Sequence, residues 1–399
     1  MTLHHLGPAG DPFDLWATPL GVAIRERFYA GKFSGKAGAV AMGLAEWWLP
    51  TVSRFVFGTP QRIYAQCVAL EILTGELTQN PSDGETPCAE PPRTRSETLE
   101  ILSGLAVARG LPDGAAGWGH GFPWMSKNGL YAPDTPLVTT TPYVMEALLV
   151  LAKDDACHEP SMALFHATWG FLEALRVMAR DGDQLALSYA PKQEPRIVVN
   201  ANAYAALAYA LHAVNGVPDI RGSARNKAAG IVRWIVARQE PDGRWFYYAD
   251  DLPGNFIDGF HTGFVLKNLR KTAALLPELS ALLQEPLARG WAFLRERFYD
   301  GQAGLCRRFI VRDIRDPYRW DLYDQAEYLG QLVDLGQWDE AGRFRDGVRL
   351  RFRRGRDWYC RIDWLGRRWG RNFLRWGIAP FLHHSARLDA ALRRVGKTL

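Results

Sequence analysis

Four Asp-Gly turns recur along this chain at near-constant spacing: Asp113-Gly114, Asp181-Gly182, Asp242-Gly243 and Asp300-Gly301, in steps of 68, 61 and 58 residues. Each opens an aromatic or polar segment: GWGHGFPW at 117–124, QLALSYAPK at 184–192, RWFYYADD at 244–251 and GLCRRFIVRD at 304–313. A fifth segment, WYCRIDWLGRRWG at 358–370, follows Asp357 without the Asp-Gly. A fixed period marks a repeat architecture, in which neighbouring units stack to bury a continuous core. Two helical stretches lie between consecutive segments, so each period is a helical hairpin carrying one loop. A ring of such hairpins collects its loops at one end, where they form a single site.

Apolar spacing of three and four residues predicts helices at 36–57, 63–76, 94–109, 139–153, 160–179, 199–214, 222–238, 260–277, 279–297, 322–335, 338–353 and 373–393. Ala203, Leu207, Ala208 and Leu211 show the spacing, as do Phe260, Phe264, Val265 and Leu269. Alternating strands are scarce; Ala186 to Tyr189 and Leu305 to Val311 suit local pairing within loops. The expected class is all-α, an (α/α)6 toroid of six helical hairpins with short strands in its loops. An open helical solenoid is the plainer alternative.

One toroid uses nearly all 399 residues, so the expectation is one domain over 1–399. A polar, Pro-rich stretch at 78–96, TQNPSDGETPCAEPPRTRS, reads as a flexible insert. The net charge is +5, and the basic excess gathers in 343–371, where eleven arginines fall. That run suits an anion-facing surface or a solvated outer helix. No nucleic-acid-binding motif accompanies it. Cys67, Cys88, Cys157, Cys306 and Cys360 form neither a C-x-x-C pair nor a zinc pattern. They read as reduced thiols of a cytoplasmic protein. MTLHHLGPAGDPFDLW has no secretory-signal character, and no apolar run reaches membrane-spanning length.

Several motifs fail on inspection. GKFSGKAG at 31–38 lacks the glycine spacing of a phosphate loop, and Ala37 stands where Ser or Thr would bind magnesium. No Gly-x-Ser-x-Gly elbow occurs, and the histidine pairs lack metal-suited partners, so neither a metal nor a cofactor is expected. QEPDGRW at 239–245 fits the Q-x-x-D-G-x-W motif of triterpene cyclases and prenyltransferases. In those α/α toroids the motif ties a helix end to the next loop. A terpene-cyclase-like toroid is therefore one alternative, although the acidic D-x-D-D motif of such cyclases is absent.

NFIDGFHTGFVLKNL at 255–269 resembles the signature of the VpsJ-like proteins, a bacterial family linked to exopolysaccharide biosynthesis. GHGFPWMSKNGLYAPDTPLVTTTPYVMEALL (119–149), NANAYAALAYAL (200–211) and RNFLRWGIAPFLHHSARL (371–388) are similar to further segments of that family. The resemblance covers most of 117–390. It implies a fold related to six-hairpin glycosidases and, more distantly, to the C-terminal part of glucuronyl C5-epimerases. Where that family carries Asp-Ile-His and then Gln, this chain reads DLYDQAE at 321–327, with Tyr323 and Glu327 at those places.

The residues themselves suggest a sugar site. Inner helices of a toroid start at the loop-rich end, and their N-termini favour anions. Asp258, His261 and Thr262 sit at one such start, Asp321, Tyr323, Asp324 and Glu327 at another, and Arg375-Trp376 at a third. Asn200, Asn202 and Tyr204 begin a fourth, and Thr139 to Thr141 a fifth. Trp118, Trp124, Trp245, Tyr247, Tyr248, Trp320, Trp358, Trp364 and Trp369 suit the apolar faces of sugar rings. Two reactions fit this set. Proton abstraction at C5 of a uronic acid residue gives an epimerase or a lyase, with Arg375 on the carboxylate and His261 and Tyr323 as proton carriers. Glycoside hydrolysis instead needs two carboxylates, Asp258 with Asp321 or Glu327. A third reading is a non-catalytic glycan-binding or scaffold subunit. The expected partner is an oligo- or polysaccharide; the oligomeric state is left open.

Overall fold

The computed structural model of the chain describes residues 7–78, 93–310 and 316–396. Its helices are α1 (Pro19–Tyr29), α2 (Phe33–Trp48), α3 (Pro50–Val56), α4 (Ala65–Thr78), α5 (Arg95–Gly104), α6 (Thr141–Leu151), α7 (His158–Ala174), α8 (Val199–Asn215), α9 (Pro218–Ala237), α10 (Gly259–Leu275), α11 (Ser280–Phe298), α12 (Leu322–Asp334), α13 (Trp338–Phe352) and α14 (Ala379–Arg394). The connections carry short strands: β1 (Trp124–Ser126), β2 (Gly129–Tyr131), β3 (Val177–Asp181), β4 (Gln184–Leu187), β5 (Tyr299–Asp300), β6 (Leu305–Cys306), β7 (Tyr318–Asp321), β8 (Arg353–Arg354), β9 (Asp357–Asp363) and β10 (Arg368–Arg371). The first six form three antiparallel ribbons; β9 pairs with β7, β8 and β10, and sets Arg361 opposite Asp321. No helix among the described residues is long and apolar enough to cross a membrane.

Helices α4, α6, α8, α10, α12 and α14 stand side by side in that order, and α14 returns to α4. The ring is closed, as an α/α toroid requires. Helices α5, α7, α9, α11 and α13 lie outside, each packed on the inner helix before it. Sequence separates the two layers. Inner α8, VNANAYAALAYALHAVN, is buried on every side from Val199 to Ala213. Its alanines let helices on several sides approach. Outer α9 buries one stripe, including Ala224, Ala228, Ile231 and Ile235, and turns its charges outward.

The loops meet at the end where inner helices begin. Leu137 donates its N–H to the Trp118 carbonyl, Val138 to Tyr189, Val199 to Tyr247 and Gly259 to Arg308, so each loop is laced to another. Three of the Asp-Gly glycines are left-handed, with φ of 77° at Gly114, 54° at Gly182 and 92° at Gly243. In the fourth turn that conformation falls to Gly304. Gln239 bonds the carbonyls of Gly243 and Pro286 at 3.0 and 2.9 Å, so the Q-x-x-D-G-x-W motif here ties its loop to α11.

The structure differs from the expected helices at several places. The stretch 36–57 is two helices broken at Leu49-Pro50, and it does not stand outside α4. Trp47 instead bonds Asp363 at the end of β9, and Arg54 lies 4.8 Å over the Phe373 ring. Together with α1, which the periodicity did not reveal, α2 and α3 sit at the loop-rich end. Helix 94–109 ends at Gly104, because Val107 turns to pair with Gly117. Helix 160–179 ends at Ala174, and β3 takes the rest. Helix 373–393 opens with a distorted π turn at Leu374–Ile378. Of the insert at 78–96, residues 79–92 lie outside the described residues. Its end is ordered: Thr94 and Glu97 form a capping box at the start of α5.

Candidate active site

A cavity of about 320 Å³ opens at the centre of the loop-rich end, within the range of about 300–1,000 Å³ typical of small-molecule sites. Its floor is a web of hydroxyls from the inner helices. Tyr143 on α6 and Tyr204 on α8 share a hydrogen bond of 2.9 Å. Lys267 on α10 donates to the Tyr143 hydroxyl and to Glu327 on α12, each at 2.9 Å. Gln66 on α4 donates to the Tyr323 hydroxyl at 2.6 Å. Burial raises the pKa of Tyr143, Tyr204 and Tyr323 well above the usual phenol value, so each keeps its proton.

His261 stands on the wall. Asp258 is the N-cap of α10 and accepts from the His261 backbone N–H at 3.1 Å. The same carboxylate lies 2.7 and 2.8 Å from His261 Nδ1. A carboxylate can only accept, so Nδ1 carries the hydrogen, which in the neutral ring leaves Nε2 as the lone-pair nitrogen. Tyr247 at 4.6 Å and Phe260 at 4.0 Å hold the ring between them. The His261 side chain stays 20% exposed, while Asp258 behind it is 2% exposed. An imidazole oriented by a carboxylate through Nδ1 and lining a cavity is the arrangement of a general base.

The expected residues divide into three groups. Asp258, His261, Tyr323, Arg375, Trp376, Trp124, Tyr248, Asn200 and Tyr204 all line this cavity. Asp321 and Glu327 do not. Asp321 is fully buried behind Trp376, accepting from its indole at 2.8 Å and from Arg361 at 3.0 Å. Glu327 is buried beneath the floor against Lys267; burial raises its carboxyl pKa, and Lys267 opposes the rise. Trp118 and Trp245 are core residues rather than sugar platforms. Their indoles bond the carbonyls of Leu102 and Ile235, at the ends of outer helices α5 and α9. Trp320 and Trp358 are buried elsewhere, and Trp364 is 65% exposed outside the cavity.

Among the described residues Asp258 is thus the only carboxylate lining the cavity, and His261 engages it. The charges facing it are mostly positive: Arg25, Lys127, Arg308 and Arg375. Arg375, expected to bind a carboxylate, already has one, with Nε 2.6 Å from Asp11; its Nη2 is buried without a partner. Arg308 is 2.9 Å from Asp316 and 3.6 Å from Asp321. Arg25 on α1 differs. It rests 4.9 Å over Trp16, donates to the Met125 carbonyl at 3.2 Å, and has no carboxylate within 4 Å among the described residues. Its pKa is lowered by burial, yet an arginine stays charged.

The residue reading also missed His120, Tyr189 and Phe256 on the cavity wall. Burial, and then the charge of Arg375, press the His120 pKa well below its usual value, so this imidazole is neutral. GHGFPW placed His120 in an aromatic loop, but only tertiary packing put it beside His261's cavity.

No family model and no curated protein matches the chain. Solved structures do. They include a sugar epimerase from a ruminal bacterium, at 13% identity and a TM-score of 0.57 over 86% of this chain and 91% of that one. Cellobiose 2-epimerase from Bacillus thermoamylovorans aligns at 10% identity and 0.56, over 83% and 88%. A GH76 α-mannanase from Bacteroides thetaiotaomicron aligns at 12% and 0.53, over 84% and 88%. At these identities the likeness establishes the toroid fold.

Proposed function

We propose that this chain is a carbohydrate-active enzyme of bacterial polysaccharide biosynthesis or modification that moves the C5 proton of a uronic acid residue. The observation that carries the reading is the Asp258–His261 pair, with His261 lining a cavity that holds no other carboxylate among the described residues. Glycoside hydrolysis by the usual pair of carboxylates loses its second member, since Asp321 and Glu327 are held behind the wall and beneath the floor.

In this mechanism His261 Nε2 takes the C5 proton while Asp258 steadies the imidazolium. The electrons pass onto the carboxylate, whose growing charge meets Arg25. Tyr323 returns a proton from the opposite face, and the C5 epimer forms. Its hydroxyl accepts from Gln66 and keeps its own hydrogen to give. If the C4–O bond breaks instead, the electrons form a C4–C5 double bond, the departing oxygen takes the Tyr323 proton, and the outcome is a lyase. The resemblance of NFIDGFHTGFVLKNL to the VpsJ-like signature supports an exopolysaccharide setting.

A second reading is proton transfer at C2 of a neutral reducing sugar. The neutral imidazole of His120 favours it, as does the fold shared with a sugar epimerase and a D-mannose isomerase. Incubation in heavy water with NMR read-out tests both. Deuterium at C5 of a uronate without chain loss means an epimerase, and an ultraviolet-absorbing unsaturated product means a lyase. Deuterium at C2 of cellobiose or mannose moves the assignment to the second reading. New reducing ends alone would sink both.

A further inference from the structure

A second cavity, of about 680 Å³, opens between α2–α3 and the β9–β10 hairpin. Five arginines line it, Arg54, Arg361, Arg367, Arg368 and Arg371, against one carboxylate, Glu46. Three of the five are paired with carboxylates: Arg54 with Glu46 and Arg361 with Asp321, each at 3.0 Å, and Arg367 with Asp363 at 2.7 Å. Arg367 Nη2 is buried without a partner. The other two keep donors to spare. Arg368 gives Nε to the Arg351 carbonyl at 2.6 Å and has no carboxylate within 4 Å among the described residues. Arg371 is exposed, 3.7 Å from a half-buried Asp357. Trp48 on the α2 side and Tyr359 and Trp369 on the hairpin side supply ring surface, and Trp48 is 59% exposed.

The two cavities share a partition. Pro12 and Phe373 line the second; Phe13, Arg375 and Trp376 line the first. Asp321 stands inside the partition, bonded to Arg361 on one side and to Trp376 on the other. The arginine-rich run of 343–371 therefore has two fates. Its first part lies on outer α13, and its last part furnishes this second cavity.

We propose that the second cavity is an accessory site for an anionic glycan. The spare N–H groups of Arg368 and Arg371 pair with carboxylates of successive uronosyl residues, and sugar faces lie on Trp48 and Tyr359. Guanidinium groups suit carboxylates because their planar fork makes parallel charge-assisted bonds. Arginines among aromatics also suit single-stranded nucleic acid; the wall shared with the first cavity favours the glycan. The identity of the ligand rests on the acidic-glycan reading of the first cavity, but its binding is measured separately.

The test is calorimetric titration of the full chain with hexagalacturonate, with cellohexaose and a charge-matched oligothymidylate as comparisons. In the double variant Arg368→Gln/Arg371→Gln, both positions exposed, acidic-hexamer affinity should fall roughly tenfold at low salt, as expected for lost charge-assisted contacts. Trp48→Ala should weaken it too, while turnover of the shortest substrate is unchanged. Equal affinity in wild type and double variant overturns the proposal, as does tighter binding of oligothymidylate or no binding of hexagalacturonate. If the hexamer binds through these arginines but no uronate is turned over, the accessory site stands and the proposed reaction falls.

Discussion

The smallest unit with chemical meaning here is one carboxylate doing two jobs. Asp258 caps α10 and, through the same side chain, sets the tautomer of His261. The three-residue spacing of D-G-F-H makes this legible in sequence, since a cap and the side chain one turn later share a helix end. His261→Ala should lower turnover by about 10²–10⁴, with the urea unfolding midpoint nearly unchanged. Asp258→Asn should keep the cap, because Asn caps about as well as Asp, yet lose the charge that stabilises the imidazolium. A low kcat with a wild-type melting curve is the expected result; wild-type turnover in either variant would remove His261 from the mechanism. Asp321 looked identical in sequence, an acid at an inner-helix start. It failed as a site residue because Arg361 and Trp376, 40 and 55 positions away, close around it. The tryptophans failed similarly: indole N–H groups of Trp118 and Trp245 find carbonyls at the ends of α5 and α9. Local sequence cannot separate an aromatic that faces a ligand from one that staples two elements.

Among the elements, the inner helices were the easiest to place, because apolar spacing of three and four marks them and each starts after one of the loops. Their ends were harder. The last inner helix was expected to run unbroken from 373, but Gly377 has φ of 86°. A Cβ at 377 would sit 2.6 Å from the Tyr323 backbone nitrogen. The chain must turn there to let α14 meet the start of α12. Gly377→Ala should therefore cost about 1–3 kcal/mol, as residues forced into sparse backbone regions do. It should also disturb Tyr323 and Trp376, so a chemical-denaturation series and an activity assay should move together. The α7–α8 contact predicts acid sensitivity. His212 is fully buried, 2.9 Å from the Thr168 hydroxyl. Burial, then the charge of His166, lowers its pKa from 6.5 to about 4. Between pH 6.5 and 4 the unfolded chain takes up a proton that the native state refuses, so stability is lost as pH falls through that window. Asp14 acts in the opposite sense. Burial raises it from 3.8 to about 7, so the native state holds a proton there that the unfolded chain releases. Urea midpoints should fall less steeply with acid in His212→Gln than in the wild type, and more steeply in Asp14→Asn.

Over the whole molecule, the unexpected feature is that α1, α2 and α3 leave the ring and join its mouth. Arg25 and Tyr29 of α1 line the first cavity, and α2–α3 wall the second. The signal for α1 was present, since Thr18-Pro19 is a capping residue followed by a first-turn proline. Its place over the mouth had no local signature. The consequence is that an element outside the toroid supplies an arginine with no carboxylate within 4 Å among the described residues. Arg25→Gln should raise KM for a uronate substrate roughly ten- to hundredfold, the size expected for a lost hydrogen bond to a charged group. It should leave binding of a neutral sugar of equal length unaffected; an equal loss for both would mean Arg25 only shapes the wall.

By itself the sequence determined the architecture and its polarity. Recurrent Asp-Gly turns and two helical patterns per period require stacked hairpins, and all-round apolar helices such as α8 must be the inner ones because water would otherwise meet their alanines and leucines. It also determined the Asp258–His261 pair, whose members lie on one helix turn. Tertiary structure alone decided which acids face the cavity, since Asp321 is silenced by residues from β9 and the last helix. It alone decided which arginine is free, since Arg375 meets Asp11 across 364 positions. Such choices depend on which charges desolvate together, and that is a property of the closed ring rather than of any stretch of chain.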